Sequence, residues 1–218
     1  MIITDGIKIP DSKMAREVTQ IVRLMESDLL FNHSTRAYFW GALAGQRKGL
    51  KYDPELLYTA AMFHDIGLTQ SFRESQLRFE VDGANAARDF LQSHGIAERD
   101  IDKVWTAIAL HTTLGIPEHM DPEIALLQDG VGMDVVGLGY EKYTDNQRDT
   151  VVVAYPRGRD FEHRIIDAFY QGQKHRPAST YGTVNEDVIA YKDKNFHHRN
   201  FCTMISASLC MHRDHQDS

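Results

Sequence analysis

Apolar residues recur through most of the chain at spacings of three and four, the pattern of a helix that buries one face. Residues 13–26 illustrate it, with apolar side chains at Val18, Ile21, Val22 and Met25. No stretch alternates apolar and polar residues well enough to indicate a β-sheet. The pattern predicts an all-α protein.

Capping residues set several of the predicted boundaries. Asp53 before Pro54, and Asp121 before Pro122, are typical helix starts, since proline fits the first helical position. Gly67 is predicted to end the helix that Asp53 begins. We predict helices over 13–26, from Asn32 or Ser34 onward, and over 54–65, 81–94, 100–111, 124–136, 159–169 and 184–191, with loops at 69–78 and 171–182.

Composition narrows the classes of partner. The 218 residues suit one sizeable core, and no linker divides them, so we predict a single domain. The net charge of −7, from 24 basic and 31 acidic residues, argues against nucleic acid as a bulk partner. No apolar run approaches the roughly 20 residues of a membrane span. We expect a small-molecule substrate, while self-association stays open.

The expected location is the cytoplasm. Residues 1–6 lack the basic start and apolar stretch of a secretory signal. The only cysteines, Cys202 and Cys210, are too few for a disulfide framework and do not fit a zinc motif. A reducing compartment therefore suits the chain.

Metal-capable side chains occur on several predicted helices. Of eleven histidines, four near the C-terminus lie in polar sequence and are predicted to be surface or tail residues: His197, His198, His212 and His215. The more informative ones are His33, His64 and His111, each at the edge of an apolar pattern. With Asp65 and Asp129 they form the candidate site.

The His64-Asp65 pair has a specific geometric requirement. Adjacent side chains on an ideal helix point about 100° apart, so they can meet at one ion only where the helix ends, as Gly67 predicts here. Asp65 lies among Phe63, Ile66 and Leu68, where burying an unpaired carboxylate is costly and a cation would remove the penalty. Imidazole and carboxylate together suit zinc, iron or manganese better than calcium.

The order His, then His-Asp, then Asp resembles the signature of the HD-domain metal-dependent hydrolases, and within them the cyanamide hydratase-like branch. The likeness covers residues 25–165 and rests on five stretches: 32–41, 63–67, 78–84, 111–113 and 128–132, with 155–157 in addition. It implies an HD-domain helical bundle with a metal site between helices and a C-terminal extension at 170–218. The implied metal ligands are His33, His64, Asp65 and Asp129.

The resemblance also implies an activity and a cofactor. One divalent transition metal is expected, which is zinc by the resemblance, with iron or manganese as alternatives. The metal would activate water for addition to a nitrile, as in the conversion of cyanamide to urea. The chain would then be a metal-dependent hydrolase or hydro-lyase. His111 is predicted to carry a proton, with a structural partner to a ligand as the alternative, and Glu80 to act as general base or as partner to a ligand histidine.

Three further residues are candidates for binding substrate: Arg36, Arg78 and Thr112. Arg36 lies one helical turn after His33, and the alternative for it is a structural ion pair with a buried carboxylate. The alternative for Glu80 is an acid favoured by the helix dipole.

Other functions stay open at this point. An HD phosphohydrolase acting on a nucleotide or phosphate ester would use the arginines near the site. A di-iron HD oxygenase needs a further histidine where Glu80 stands, which disfavours it. A non-catalytic HD module is a third possibility. Such a module would tolerate the loss of metal ligands, and the complete set in this sequence argues against it.

Overall fold

The computed structural model describes residues 2–208, and its described part is all-α, as predicted. The ten helices are α1 (Lys13–Met25), α2 (Asp28–Lys48), α3 (Pro54–Phe63), α4 (Phe79–Ser93), α5 (Glu98–Leu110), α6 (Pro122–Val136), α7 (Asp145–Ala154), α8 (Phe161–Gln173), α9 (Asn185–Lys192) and α10 (Phe201–Ser206). A short antiparallel ribbon of β1 (Ile2–Thr4) and β2 (Ile7–Lys8) precedes them.

Helix α2 is the central helix, and it packs most closely against α6. Glycines allow the approach: a Cβ atom on Gly130 would collide with the carbonyl of Ala37, and one on Gly41 with that of Leu126. The two backbones therefore touch. This contact brings the first half of α2 beside the last turns of α6, where the candidate site lies.

A second, smaller core joins the C-terminal helices to the bundle. It consists of Leu29, Leu30, Leu68, Phe79 and Ile165, from α2, the turn after α3, α4 and α8. Helix α8 is therefore held over the start of α2.

Several predicted boundaries differ from the structure by a few residues, and two of them bear on the candidate site. Helix α2 begins at Asp28 with Ser27 as its N-cap, so neither Asn32 nor Ser34 opens it, and His33 lies inside the helix. Helix α3 ends at Phe63, before Gly67. Gly67 does not adopt a left-handed conformation; it is needed because a Cβ atom there would collide with the carbonyl of Phe79.

The prediction also missed two helices, α7 and α10. Helix α7 carries a capping box, in which Thr144 and Gln147 bond each other's backbone, and this signal is readable in the sequence. The predicted loop at 171–182 is partly helical, because α8 continues to Gln173 and a 3-10 turn covers Pro177–Thr180.

Within residues 2–208, no helix has the length and apolar character that a membrane span requires. His197, His198 and Cys202 are exposed, as expected for the surface. Cys210, His212 and His215 lie outside the described residues.

Candidate metal centre

Two helices supply a buried cluster of His33, His64 and Asp65. His33 projects from α2, while His64 is the C-cap of α3 and Asp65 follows it with φ −104° and ψ 0°. Because the chain leaves the helix between these two residues, their side chains converge rather than diverge by 100°. The predicted convergence of His64 and Asp65 at a helix end is thus confirmed, although α3 ends two residues earlier than predicted.

The three potential ligand atoms form a compact triangle. Nε2 of His33 and Nε2 of His64 are 3.2 Å apart, and Oδ2 of Asp65 lies 3.5 Å and 3.3 Å from them. Donor atoms at about 2.0–2.1 Å from a tetrahedral zinc ion stand about 3.3–3.4 Å apart. The spacing fits one transition-metal ion bound by three protein ligands.

Hydrogen bonds fix which nitrogen of each histidine faces the cluster. Nδ1 of His33 donates to Asp134 at 2.7 Å, and Nδ1 of His64 donates to the Ala61 carbonyl at 2.7 Å. Both partners can only accept, so Nδ1 carries the proton in each ring whenever that ring is neutral, and Nε2 is then the free donor atom that faces the cluster. Two lone pairs and a carboxylate oxygen meet there, an arrangement that a cation stabilises.

Asp65 supports the same conclusion. Its Oδ2 atom is buried and has no hydrogen-bond partner among the described residues. Burial opposes ionisation, but the positive charge of a protonated His64 outweighs it and lowers the pKa of Asp65 to about 2; a metal ion would take the place of that charge. An ionised, buried and unpartnered oxygen is the donor that a metal ion needs.

Asp134 of α6 orients His33 from behind. Its carboxylate accepts hydrogen bonds from His33, from Arg36 at 2.8 Å through two nitrogens, from Trp40 at 2.9 Å and from Arg157 at 3.0 Å. Burial opposes its ionisation, but the bonds from His33 and Arg36 lower its pKa. A carboxylate on the outer nitrogen of a histidine ligand fixes the ring and raises its basicity. Asp134 is not among the site residues predicted from the sequence.

We expect Asp134→Asn to weaken metal binding by about 10–100-fold, because the amide supports His33 less well than a carboxylate does. The dissociation constant, measured by competition with a chelator of known affinity, tests this. Asp149→Asn is a suitable control, since Asp149 lies on α7 outside the cluster. Equal metal affinity in both variants and the wild type would contradict the assigned role.

A cavity of about 290 Å³ opens onto the cluster. His33 and Asp65 form part of its wall, and so does His111, which ends α5. Nδ1 of His111 donates to the Ile108 carbonyl at 2.6 Å, so its Nε2 is unprotonated and lies 3.8 Å from Oδ1 of Asp65. Burial lowers the pKa of His111 to about 4. The cavity thus places a neutral imidazole beside the cluster of His33, His64 and Asp65.

The comparison with protein families agrees with this geometry. A family model for the HD domain matches residues 30–154, more than half of the chain. The chain belongs to the HD domain family. HD domains bind divalent metals and are generally metal-dependent hydrolases. No curated protein matches the chain.

The predicted fourth ligand of this HD domain, Asp129, is corrected by the structure. Its side chain is 33% exposed and forms an ion pair with Lys48 at 2.5 Å, and it is absent from the cluster. The residue before it, Gln128, lines the cavity instead and donates to the Thr113 carbonyl at 2.5 Å. Because neighbours on a helix point about 100° apart, Gln128 faces the site and Asp129 faces away.

The two arginines predicted to bind substrate are also corrected. Arg36 is fully buried, and its guanidinium is occupied by Asp134 and by the Tyr155 carbonyl at 2.9 Å. This arrangement matches the alternative of a structural ion pair. Arg78 pairs with Glu80 at 2.9 Å. Neither arginine lines the cavity of the HD domain.

Glu80 is not among the residues that line the cavity, which favours a supporting role over the predicted role of general base. Its Oε1 atom accepts hydrogen bonds from Arg78, from Thr112 at 2.5 Å and from Asn185 at 2.9 Å. Burial favours its neutral form, but the bond from Arg78 outweighs this and lowers its pKa. Thr112 and Asn185 both line the cavity. Glu80 therefore positions them, and Thr112 stays a predicted substrate contact.

We expect Glu80→Gln to retain its metal and to lose about 1–3 kcal/mol of the free energy of unfolding, because buried donors lose a charged acceptor. Denaturant unfolding and metal analysis of the same sample measure both quantities. A 100-fold fall in turnover at unchanged stability would instead restore Glu80 as the general base.

Proposed function

We propose that this HD-domain protein adds water to a small uncharged substrate carrying a nitrile or amide carbon, as cyanamide hydratases do. The observation that carries the proposal is the composition of the cavity over the metal cluster. None of the described residues that line it is a lysine or arginine. A phosphohydrolase needs cationic groups beside the metal to meet phosphate, which leaves the uncharged substrate as the better fit.

The proposed reaction is a hydration. The oxygen of water bonds to the nitrile carbon, one carbon–nitrogen π bond opens, and the nitrogen takes up a proton; rearrangement gives an amide, or urea when the substrate is cyanamide. With an amide substrate the water oxygen bonds to the carbonyl carbon, the carbon–nitrogen bond breaks, and the nitrogen takes up a proton and leaves as ammonia or an amine, so the product is a carboxylic acid. A divalent transition metal in this cluster supplies Lewis acidity, which makes water acidic enough to serve as a nucleophile near neutral pH.

The residues of the chain have separate roles in this proposal. His33, His64 and Asp65 would hold the metal, and Asp134 keeps the ring of His33 in place. His111 points an unprotonated Nε2 towards the same space, so it is positioned to accept a proton from water and return it to nitrogen. One metal is proposed, because the described residues contain a single buried cluster of this kind. The triangle of ligand atoms favours zinc, with iron and manganese as outcomes of metal analysis.

The proposal is tested by supplying the purified protein with zinc, iron or manganese and measuring urea release from cyanamide. Parallel assays measure phosphate release from nucleotides and phosphate esters. We expect hydration activity that depends on one equivalent of metal and that Asp65→Asn abolishes. Phosphate release in the absence of any nitrile or amide turnover would overturn the proposal in favour of the phosphohydrolase.

A further inference from the structure

Most of the residues that line the cavity over the metal cluster are apolar; the polar ones are His33, Asp65, His111, Thr112, Gln128 and Asn185. Away from the cluster its walls are built from aliphatic and aromatic side chains of α4, α6, α8 and α9. Several remain open to solvent: Val136 is 70% exposed, Leu138 51% and Val184 46%. Apolar surface gathered around one opening, with a few convergent polar groups below, is the usual form of a small-molecule site.

Part of this wall comes from outside the HD match, which ends at residue 154. Helix α8 contributes Ile166 and Phe169 to the cavity, α9 contributes Val188, and Val184 is the residue that precedes α9. The HD portion of the chain therefore supplies the metal cluster and part of the apolar wall, whereas the segment after it supplies the rest of that wall.

Two buried polar contacts hold this C-terminal wall against the HD domain. Arg176 is 2% exposed; it pairs with Asp82 and donates to the carbonyls of Leu77 at 2.9 Å and Gly67 at 2.6 Å. Asn185 donates to Glu80 at 2.9 Å. Buried charged and amide groups with several partners fix a surface in one position. The wall is thus a built part of the cavity.

The volume of the cavity exceeds what the smallest substrate needs. About 290 Å³ corresponds to roughly ten water molecules at about 30 Å³ each. Cyanamide has three non-hydrogen atoms and no apolar portion. Most of the cavity, including the part lined by α8 and α9, would then have no substrate contact.

We propose that the substrate carries an alkyl or aryl group, which the wall formed by Ile166, Phe169, Val184 and Val188 selects, while its reacting carbon lies over the metal cluster. This inference rests on the proposed function, since it names the substrate class of that same site. It makes the substrate an organic nitrile or amide. The free energy of burying a methylene group predicts about a fourfold gain in affinity for each carbon added.

Binding of hydroxamates to the zinc-loaded protein tests this, because the hydroxamate group chelates the metal while the chain length varies. We expect the dissociation constant, measured by calorimetry, to fall about two- to fourfold per methylene from acetohydroxamate to hexanohydroxamate. Val188→Thr, which keeps the shape but adds a hydroxyl, reduces that gain. Val153→Thr, on an exposed position of α7, leaves it unchanged and serves as the control.

The outcomes separate this inference from the proposed function. Equal affinity for all chain lengths, with acetohydroxamate still bound, would overturn the apolar substrate and keep the metal site. If no hydroxamate binds, the proposed metal chemistry is wrong. Whether the apolar pocket binds an alkyl group is then tested separately, by NMR of the valine and isoleucine methyl groups during titration with hexanamide. Shifts confined to Ile166, Val184 and Val188 would support the pocket, and no shifts there would overturn it. A dimer whose formation covers these residues would also overturn it.

Discussion

Asp65→Asn is expected to lose the bound metal and, with it, all hydration activity. The substitution removes the only anionic side chain of the buried cluster and leaves two imidazoles. Loss of a residue that only supports a ligand lowers metal affinity by roughly 10–100-fold, and we expect the loss of Asp65 to lower it further. Metal content by elemental analysis, after dialysis against buffer with micromolar zinc, measures the effect.

Asp129→Asn is the matched control for this variant. It makes the same chemical change at the aspartate that the sequence had suggested as a ligand, but at a partly exposed position paired with Lys48. We expect full metal content and a free energy of unfolding within about 0.5 kcal/mol of wild type. Loss of metal from Asp129→Asn, together with its retention in Asp65→Asn, would refute the assigned cluster.

His111→Gln is expected to reduce turnover by about 10²–10⁴-fold while the metal stays bound. The Nε2 atom of His111 faces the cavity beside Asp65, and glutamine offers no comparable proton acceptor there. The measurement is kcat for nitrile hydration, reported per equivalent of bound metal so that any loss of zinc is separated from loss of proton transfer.

His94→Gln controls for the general cost of replacing a histidine at the end of a helix. His94 also bonds a backbone carbonyl through Nδ1, that of Phe90 at 2.9 Å, but its Nε2 meets Glu17 outside the cavity. We expect its turnover to equal that of the wild type. Unchanged turnover in His111→Gln as well would leave His111 a packing residue.

The metal cluster was largely predictable because its determinants are local. The all-α class followed from apolar periodicity, and the convergence of His64 and Asp65 followed from a helix that ends between them. His33 required only its place on the neighbouring helix. The predicted cause of the helix end was wrong, since Gly67 serves close packing against Phe79 and not a left-handed cap.

The parts that failed depend on tertiary contacts. In residues 122–136, apolar side chains lie all around α6, so the pattern does not reveal which face meets α2 and could not distinguish Asp129 from Gln128. Asp134 is buried because Arg36, Trp40 and Arg157 surround it, and these residues lie far apart in sequence. A usable signal did exist, because the expected ion pair of Arg36 required a buried carboxylate as its partner.

Zinc binding by His33, His64 and Asp65 is tested most directly by anomalous X-ray scattering from a crystal grown with zinc. We predict one strong peak at the zinc edge, about 2.0–2.2 Å from Nε2 of His33, Nε2 of His64 and Oδ2 of Asp65, with its remaining coordination open to the cavity. A peak at Asp129, or full zinc content with no peak among these three side chains, would contradict the account.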